Sequence, residues 1–169
     1  MPNLRLTNLA SYRNYFATIA EKHKAIEGFK WGGKDVILND NRSDLAKRFL
    51  WAMPYENARY GDRGSDNVVK TKQARVAYMI VPESELFADE DAAFDFCEEV
   101  IEQILSKILV DKAGAEVDGV WTMIATTIES WSTGPVHKKI GSTEYIGWEL
   151  ELNFIDNTSL AYDASKWNS

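Results

Sequence analysis

Between residues 146 and 154, Ile146, Trp148, Leu150, Leu152 and Phe154 alternate without a break with Gly147, Glu149, Glu151 and Asn153. Successive side chains of a β-strand point to opposite faces, so this period of two describes a strand with one apolar and one polar face. Such a strand is not stable alone. It needs sheet partners and a layer covering its apolar side, and the remainder of the chain has to supply both.

Two amphipathic helices can supply the layer. Over residues 7–25, Leu9, Tyr12, Phe16 and Ile19, followed by Ile26, recur at helical spacing, and Gly28 with Gly32 and Gly33 marks the break. A second helix opens on Asp89, Glu90 and Asp91, where the helix dipole favours carboxylates. It presents Phe94, Cys97, Ile101, Ile104, Leu105 and Ile108 to a core, places Lys107 and Lys112 near its other end and stops at Gly114.

Strand partners are read at residues 47–60, where Phe49, Trp51, Met53 and Tyr55 alternate and Pro54 argues for an edge or a bulge. They are also read at 68–81 and 120–131, with the strongest strand at 144–155. The segment 35–43 reads as a turn-rich connection around Val36, Ile37 and Leu38, and 132–142 as a loop. The order is αββαββ. The expectation is an α+β fold: one antiparallel four-stranded sheet with both helices packed on one face, in a single domain over residues 1–169. A hairpin tip at about 61–73 projects in this reading, and a polar tail occupies 156–169.

Charge is segregated. Residues 1–80 hold 14 Lys and Arg against 8 Asp and Glu, while residues 81–169 hold 5 against 18, within a net charge of −7. The basic half alone would suit a polyanion, but the acidic half would be repelled by it, so no nucleic-acid partner is expected. Either the two halves lie against each other within one fold and largely neutralise, or a basic surface of one copy meets the acidic surface of the next in a head-to-tail contact that closes into a ring or continues as a stack. Arg13, Lys22 and Lys24 on the first helix, and Arg63, Lys70 and Lys72 on the hairpin, are the basic candidates. Asp95, Glu98 and Glu102 on the second helix are the acidic ones. No run of about 18 apolar residues is present and Met1 to Arg5 form no signal-peptide core, so the expectation is a cytoplasmic protein with no membrane partner.

Catalytic motifs are missing. There is no Gly-rich phosphate loop, nucleophile elbow or dinucleotide fingerprint. His137 stands beside Lys138 and Lys139 without a nucleophile at any motif spacing, and Cys97 falls on the apolar helix face as a small hydrophobe. Glu149 and Glu151 share a strand face and could meet Glu129, yet the same face could as well meet water or a basic partner. No catalytic residue, metal or cofactor is assigned. Of six tryptophans, Trp31 and Trp131 stand beside glycine or in turn-like surroundings and are the candidates for a contact surface.

The element order, the long polar hairpin tip, the stretch 147–155 and the segment 160–167 with Tyr162 and Trp167 resemble small tail-terminator, tail-completion or neck proteins of tailed phages and phage-like contractile particles. The resemblance implies a non-enzymatic, ring-forming homo-oligomer that works with other tail or neck proteins and resides in the virion or particle. From a different class, the residues also admit a small ligand-binding or enzymatic α+β domain with a pocket lined by tryptophan, Glu129, Glu149 and Glu151.

Overall fold

In the computed structural model, residues 3–33, 45–62, 68–83, 86–117 and 119–157 are described. The alternating stretch lies in β8 (Thr143–Asn157), and its apolar positions Ile146, Leu150, Leu152 and Phe154 are at most 1% exposed. β8 pairs along its length with β4 (Val68–Ile80), which pairs on its other side with β3 (Arg48–Asp62). The β3–β4 register shifts between Met53 and Asn57, across Pro54, which has no N–H for the ladder.

β2 (Gly28–Trp31) lies beyond β3, and β7 (Thr127–Ile140) lies beyond β8, giving a five-stranded sheet of order β2-β3-β4-β8-β7. The expected four-stranded, wholly antiparallel sheet is therefore corrected on two counts. β2 is an added strand, and it pairs parallel to β3. Four residues between a helix end and two glycines are too few to show a period, and residues 32–47 provide the length that a parallel crossover requires. Residues 132–140 are strand, not loop, and the β7–β8 hairpin closes on Gly141 and Ser142 with Gly141 at φ 61°. Pro135 is tolerated because β7 is an edge. A second, three-stranded sheet joins β1 (Asn3–Leu4), parallel, and β5 (Ala115–Val117), antiparallel, to β6 (Val120–Ile124).

Both helices cover one face of the large sheet. α1 (Leu9–Lys22) starts at Asn8, whose Oδ1 accepts from the amides of Ala10 and Ser11, and buries Tyr12, Tyr15, Phe16, Ile19 and Ala20. Leu9, expected in the core, is 48% exposed. α2 (Glu90–Ala113) is capped by Asp89, which accepts from the amide of Ala92, and ends at Gly114 with φ 87°. Cys97, Ile101, Ile104 and Ile108 are buried on its inner side, and Phe94 meets the ring of Trp148 at 6.4 Å.

The opposite sheet face is divided. Phe49, Trp51, Met53, Ala77, Met79 and Tyr145 form a second buried cluster, whereas Arg75, Glu149 and Glu151 further along form an ionic one. The β4–β8 seam is held close at Gly147, where a Cβ would lie 2.0 Å from the Tyr78 carbonyl oxygen and 2.9 Å from Met79 Sδ.

Residues 69–73 of β4 have β8 on one side, and residues 57–61 of β3 flank them on the other. Lys70, Thr71, Lys72 and Gln73 thus lie within the sheet and do not project as expected. Lys72 is 9% exposed and donates from Nζ to the Thr7 carbonyl. Residues 63–67 of the expected tip, the connection 35–43 and the tail from 158 onward lie outside the described residues.

Candidate functional site

A cleft of about 670 Å³ opens between α1 and α2. The helices run antiparallel and are bridged at two points. At one, the Tyr15 hydroxyl donates to Asp111 Oδ2 at 2.8 Å, while Lys107 Nζ donates to Asp111 Oδ1. At the other, His23 meets Gln103 Oε1 at 2.9 Å. Ile19 and Ile104 line the walls between the bridges, Lys22 and Lys107 carry the charge there, and Leu4 and Thr122 contribute from the small sheet.

The hydrogen-bond pattern assigns the His23 tautomer. The Ala25 amide donates to Nδ1 at 3.2 Å, so the ring proton of a neutral imidazole sits on Nε2 and is donated to Gln103. Gln103 in turn donates from Nε2 to Glu99 at 3.0 Å, which completes a directed chain from the end of α1 to α2. At the other bridge, burial first, and then the Asp111 charge and hydrogen bond, push the Tyr15 pKa well above its ordinary value of 10.0. Tyr15 therefore keeps its proton, and both Asp111 oxygens are engaged. The cleft has the parts for holding a ligand, and its tyrosine is not poised to release a proton near neutral pH.

Asp111 was not singled out by the sequence reading. It is 3% exposed in the last turn of α2, where the dipole disfavours a carboxylate. The available signal was that Asp111 continues the apolar spacing of Cys97, Ile101, Ile104 and Ile108. A carboxylate at a core position needs a partner, and Tyr15 and Lys107 are that partner.

The interhelical cleft is not lined by tryptophan, Glu129, Glu149 or Glu151. Arg75 holds Glu151, with Nε 3.4 Å from Oε2, and its terminal nitrogen is 4.0 Å from Glu149; Gln73 also donates to Glu151. Glu129 is exposed in the irregular stretch between Ile128 and Ser130 of β7. Among the described residues no three His, Cys, Asp or Glu side chains group as a metal site. Cys97 is fully buried, and burial pushes its thiol up to about 12.

The interface candidates separate. Arg13, Lys22 and Lys24 are exposed at α1, and Asp95 and Glu102 are exposed on α2 with Glu98 half-buried beside them. Lys70 and Lys72 lie inside the sheet, and Arg63 is outside the described residues. Trp31 is half-buried and packs against Tyr12 with ring centroids 5.7 Å apart. Trp51 is buried and donates from Nε1 to the Gly32 carbonyl at 2.9 Å. Trp131 is 44% exposed on β7, and Trp121, which the sequence reading did not choose, is 42% exposed, as is Val110 of α2 at 50%.

No protein-family model matches the chain, and comparison with curated proteins returns no significant relative. Among the described residues no helix is long and apolar enough to cross a membrane.

Proposed function

We propose that this chain is a non-enzymatic structural subunit of a homo-oligomeric ring, of the kind that terminates or completes the tail of a tailed phage or phage-like particle. The observation that carries the reading is β7. Among the described residues β7 has β8 as its only neighbouring strand, and most of its 14 residues, Trp131 included, are exposed. Edge strands are ordinarily blunted by prolines, bulges or charges. β7 has these at its ends, in the irregularity before Ser130 and in Pro135, Lys138 and Lys139, but residues 130–134 between them carry neither charge nor proline.

Segregated charge supports the same reading. Exposed Arg13 lies on one helix and exposed Lys24 just past its end, and exposed Asp95 and Glu102 lie on the other helix, so a head-to-tail neighbour can pair unlike surfaces. Light scattering and native mass spectrometry across protein concentration test it. The expected result is a closed oligomer that dissociates in high salt and on Trp131→Lys, with the fold retained by circular dichroism. A monomer at every concentration and at low salt overturns the reading.

A further inference from the structure

The charges that the fold leaves unpaired are sorted by helix flank. Among the described residues Arg13 and Lys24 enter no ion pair, nor do Glu98 and Glu102, whereas Lys22 and Lys107 are both engaged. The cleft takes Asn14, Thr18 and Lys22 from α1 and Gln103 and Lys107 from α2. At about 3.6 residues per turn, the flanks facing away from it carry Leu9, Arg13 and Ala17 on α1, and Phe94, Glu98, Glu102, Leu105 and Leu109 on α2. Phe94 meets Trp148, whose neighbour across the ladder is Pro135 of β7. α1 packs on β2 and β3 and α2 on β8 and β4, so the two outer flanks stand over opposite edges of the large sheet.

We propose that the next copy in the ring seats the outer flank of its α1, with Lys24 just past its end, on the outer flank of α2, an inference that rests on the assembly reading and names its contact surfaces. Flanks of opposite charge at opposite edges fit a head-to-tail contact, because a two-fold contact would set like against like. Leu9, 48% exposed, and Leu109, 37% exposed, gain apolar cover in the same contact. Its register follows from the fold. A closed ring relates neighbours by rotation without rise, so about an axis along the helices the neighbour's α1 stands at the height of the first copy's own. Tyr15 is level with Asp111 and His23 with Gln103. Counting onward from these bridges, Ala17 of one copy meets Leu109 of the next, and Lys24 meets Glu102. Lys112 comes within a residue of the height of Arg13 and is the one mismatch of charge.

The full chain at low salt carries the test. Lys24→Glu and Glu102→Lys should each raise the concentration of half-dissociation, read by light scattering, about fivefold or more, and the two together should return it to within about twofold of the unaltered protein. Lys112→Glu should lower it. Ala17→Cys and Leu109→Cys proteins, mixed in high salt, returned to low salt and treated with a short bis-maleimide, should link to each other, and neither alone should link to itself. Cys97 is fully buried and does not compete. An oligomer in which the double reversal fails to recover, Lys112→Glu weakens assembly, the mixed link is missing or either cysteine variant links to itself overturns this contact and leaves the assembly reading standing. A chain that stays monomeric at every concentration overturns both.

Discussion

β4 and β7 are strands of nearly equal length, 13 and 14 residues, and both mix lysine with β-branched and small residues. Their positions are opposite. β4 has a strand on each side along most of its length, and Val76, Ala77, Tyr78, Met79 and Ile80 are at most 1% exposed. β7 has one partner strand among the described residues and keeps most of its side chains exposed. Composition alone would have reversed them, since the run of Lys70, Thr71, Lys72 and Gln73 looks more exposed than the region around Val136. What decides burial is the number of neighbouring strands, together with a backbone acceptor for the one ammonium that has to enter the core.

The sharpest contrast lies between two glycines. Gly147→Ala places a methyl group against the Tyr78 carbonyl in the seam, whereas a Cβ at Gly134 in β7 meets nothing within 4 Å. Urea titration should give a loss of about 3 kcal/mol or more for Gly147→Ala, and a change within about 0.5 kcal/mol for Gly134→Ala. Comparable losses would mean that β7 is as tightly packed as β4.

Lysine reversals come next. Lys72→Glu puts a carboxylate against the Thr7 carbonyl at a buried position, while Lys139 is exposed. The expected cost is about 2–3 kcal/mol for Lys72→Glu and about zero for Lys139→Glu, measured by the same titration. A Lys72→Glu protein of unchanged stability would return that residue to the surface.

Alkali produces the smallest of the three effects near neutrality. The Cys97 thiol is raised from 9.0 to about 12, and burial also raises the tyrosine hydroxyls of Tyr15 and Tyr78 above 10.0. A group held protonated in the folded state contributes stability that is complete below its unfolded pKa and is lost as pH rises towards the folded value. Stability should therefore be flat in these groups below pH 9 and fall above it, with Cys97 alone contributing about 1 kcal/mol of loss at pH 10. Cys97→Val should flatten the first part of that decline. Unchanged stability from pH 9 to 11 would show the core to be wetter than its geometry.

Periodic and capped elements were legible in the sequence for identifiable reasons. β8 alternates because one face meets the helices, and α2 announces itself through Asp89 at one end and Gly114 at the other. β2 was not legible, because four residues carry no period and its parallel pairing depends on Leu50 and Trp51 more than twenty positions later. β7 was hidden by Gly134 and Pro135, which mark turns locally and are compatible with an edge only once β8 is known to lie beside them. The cleft was the least visible part. Its polar residues come from two helices about eighty positions apart, and its clearest clue, Asp111, is a single exception within an apolar stripe.

The seam between β4 and β8 also bears on how the chain reaches this structure. Each long hairpin joins strands that are close in sequence, but the seam pairs Ile80 with Ile146 and Val69 with Asn157. The hairpins can close in microseconds, whereas joining them has to overcome the entropy of a long loop, so the seam is expected to set the refolding rate. On the ribosome the wait is longer. At roughly 5–20 residues per second, the 66 positions between Ile80 and Ile146 take about 3–13 s to synthesise. Throughout that interval the apolar run from Val76 to Ile80 lacks its β8 partner, which makes the nascent chain most prone to aggregation at the strand that ends up best protected. Pulsed hydrogen exchange during refolding should show the β3–β4 amides gaining protection before those of the β4–β8 ladder.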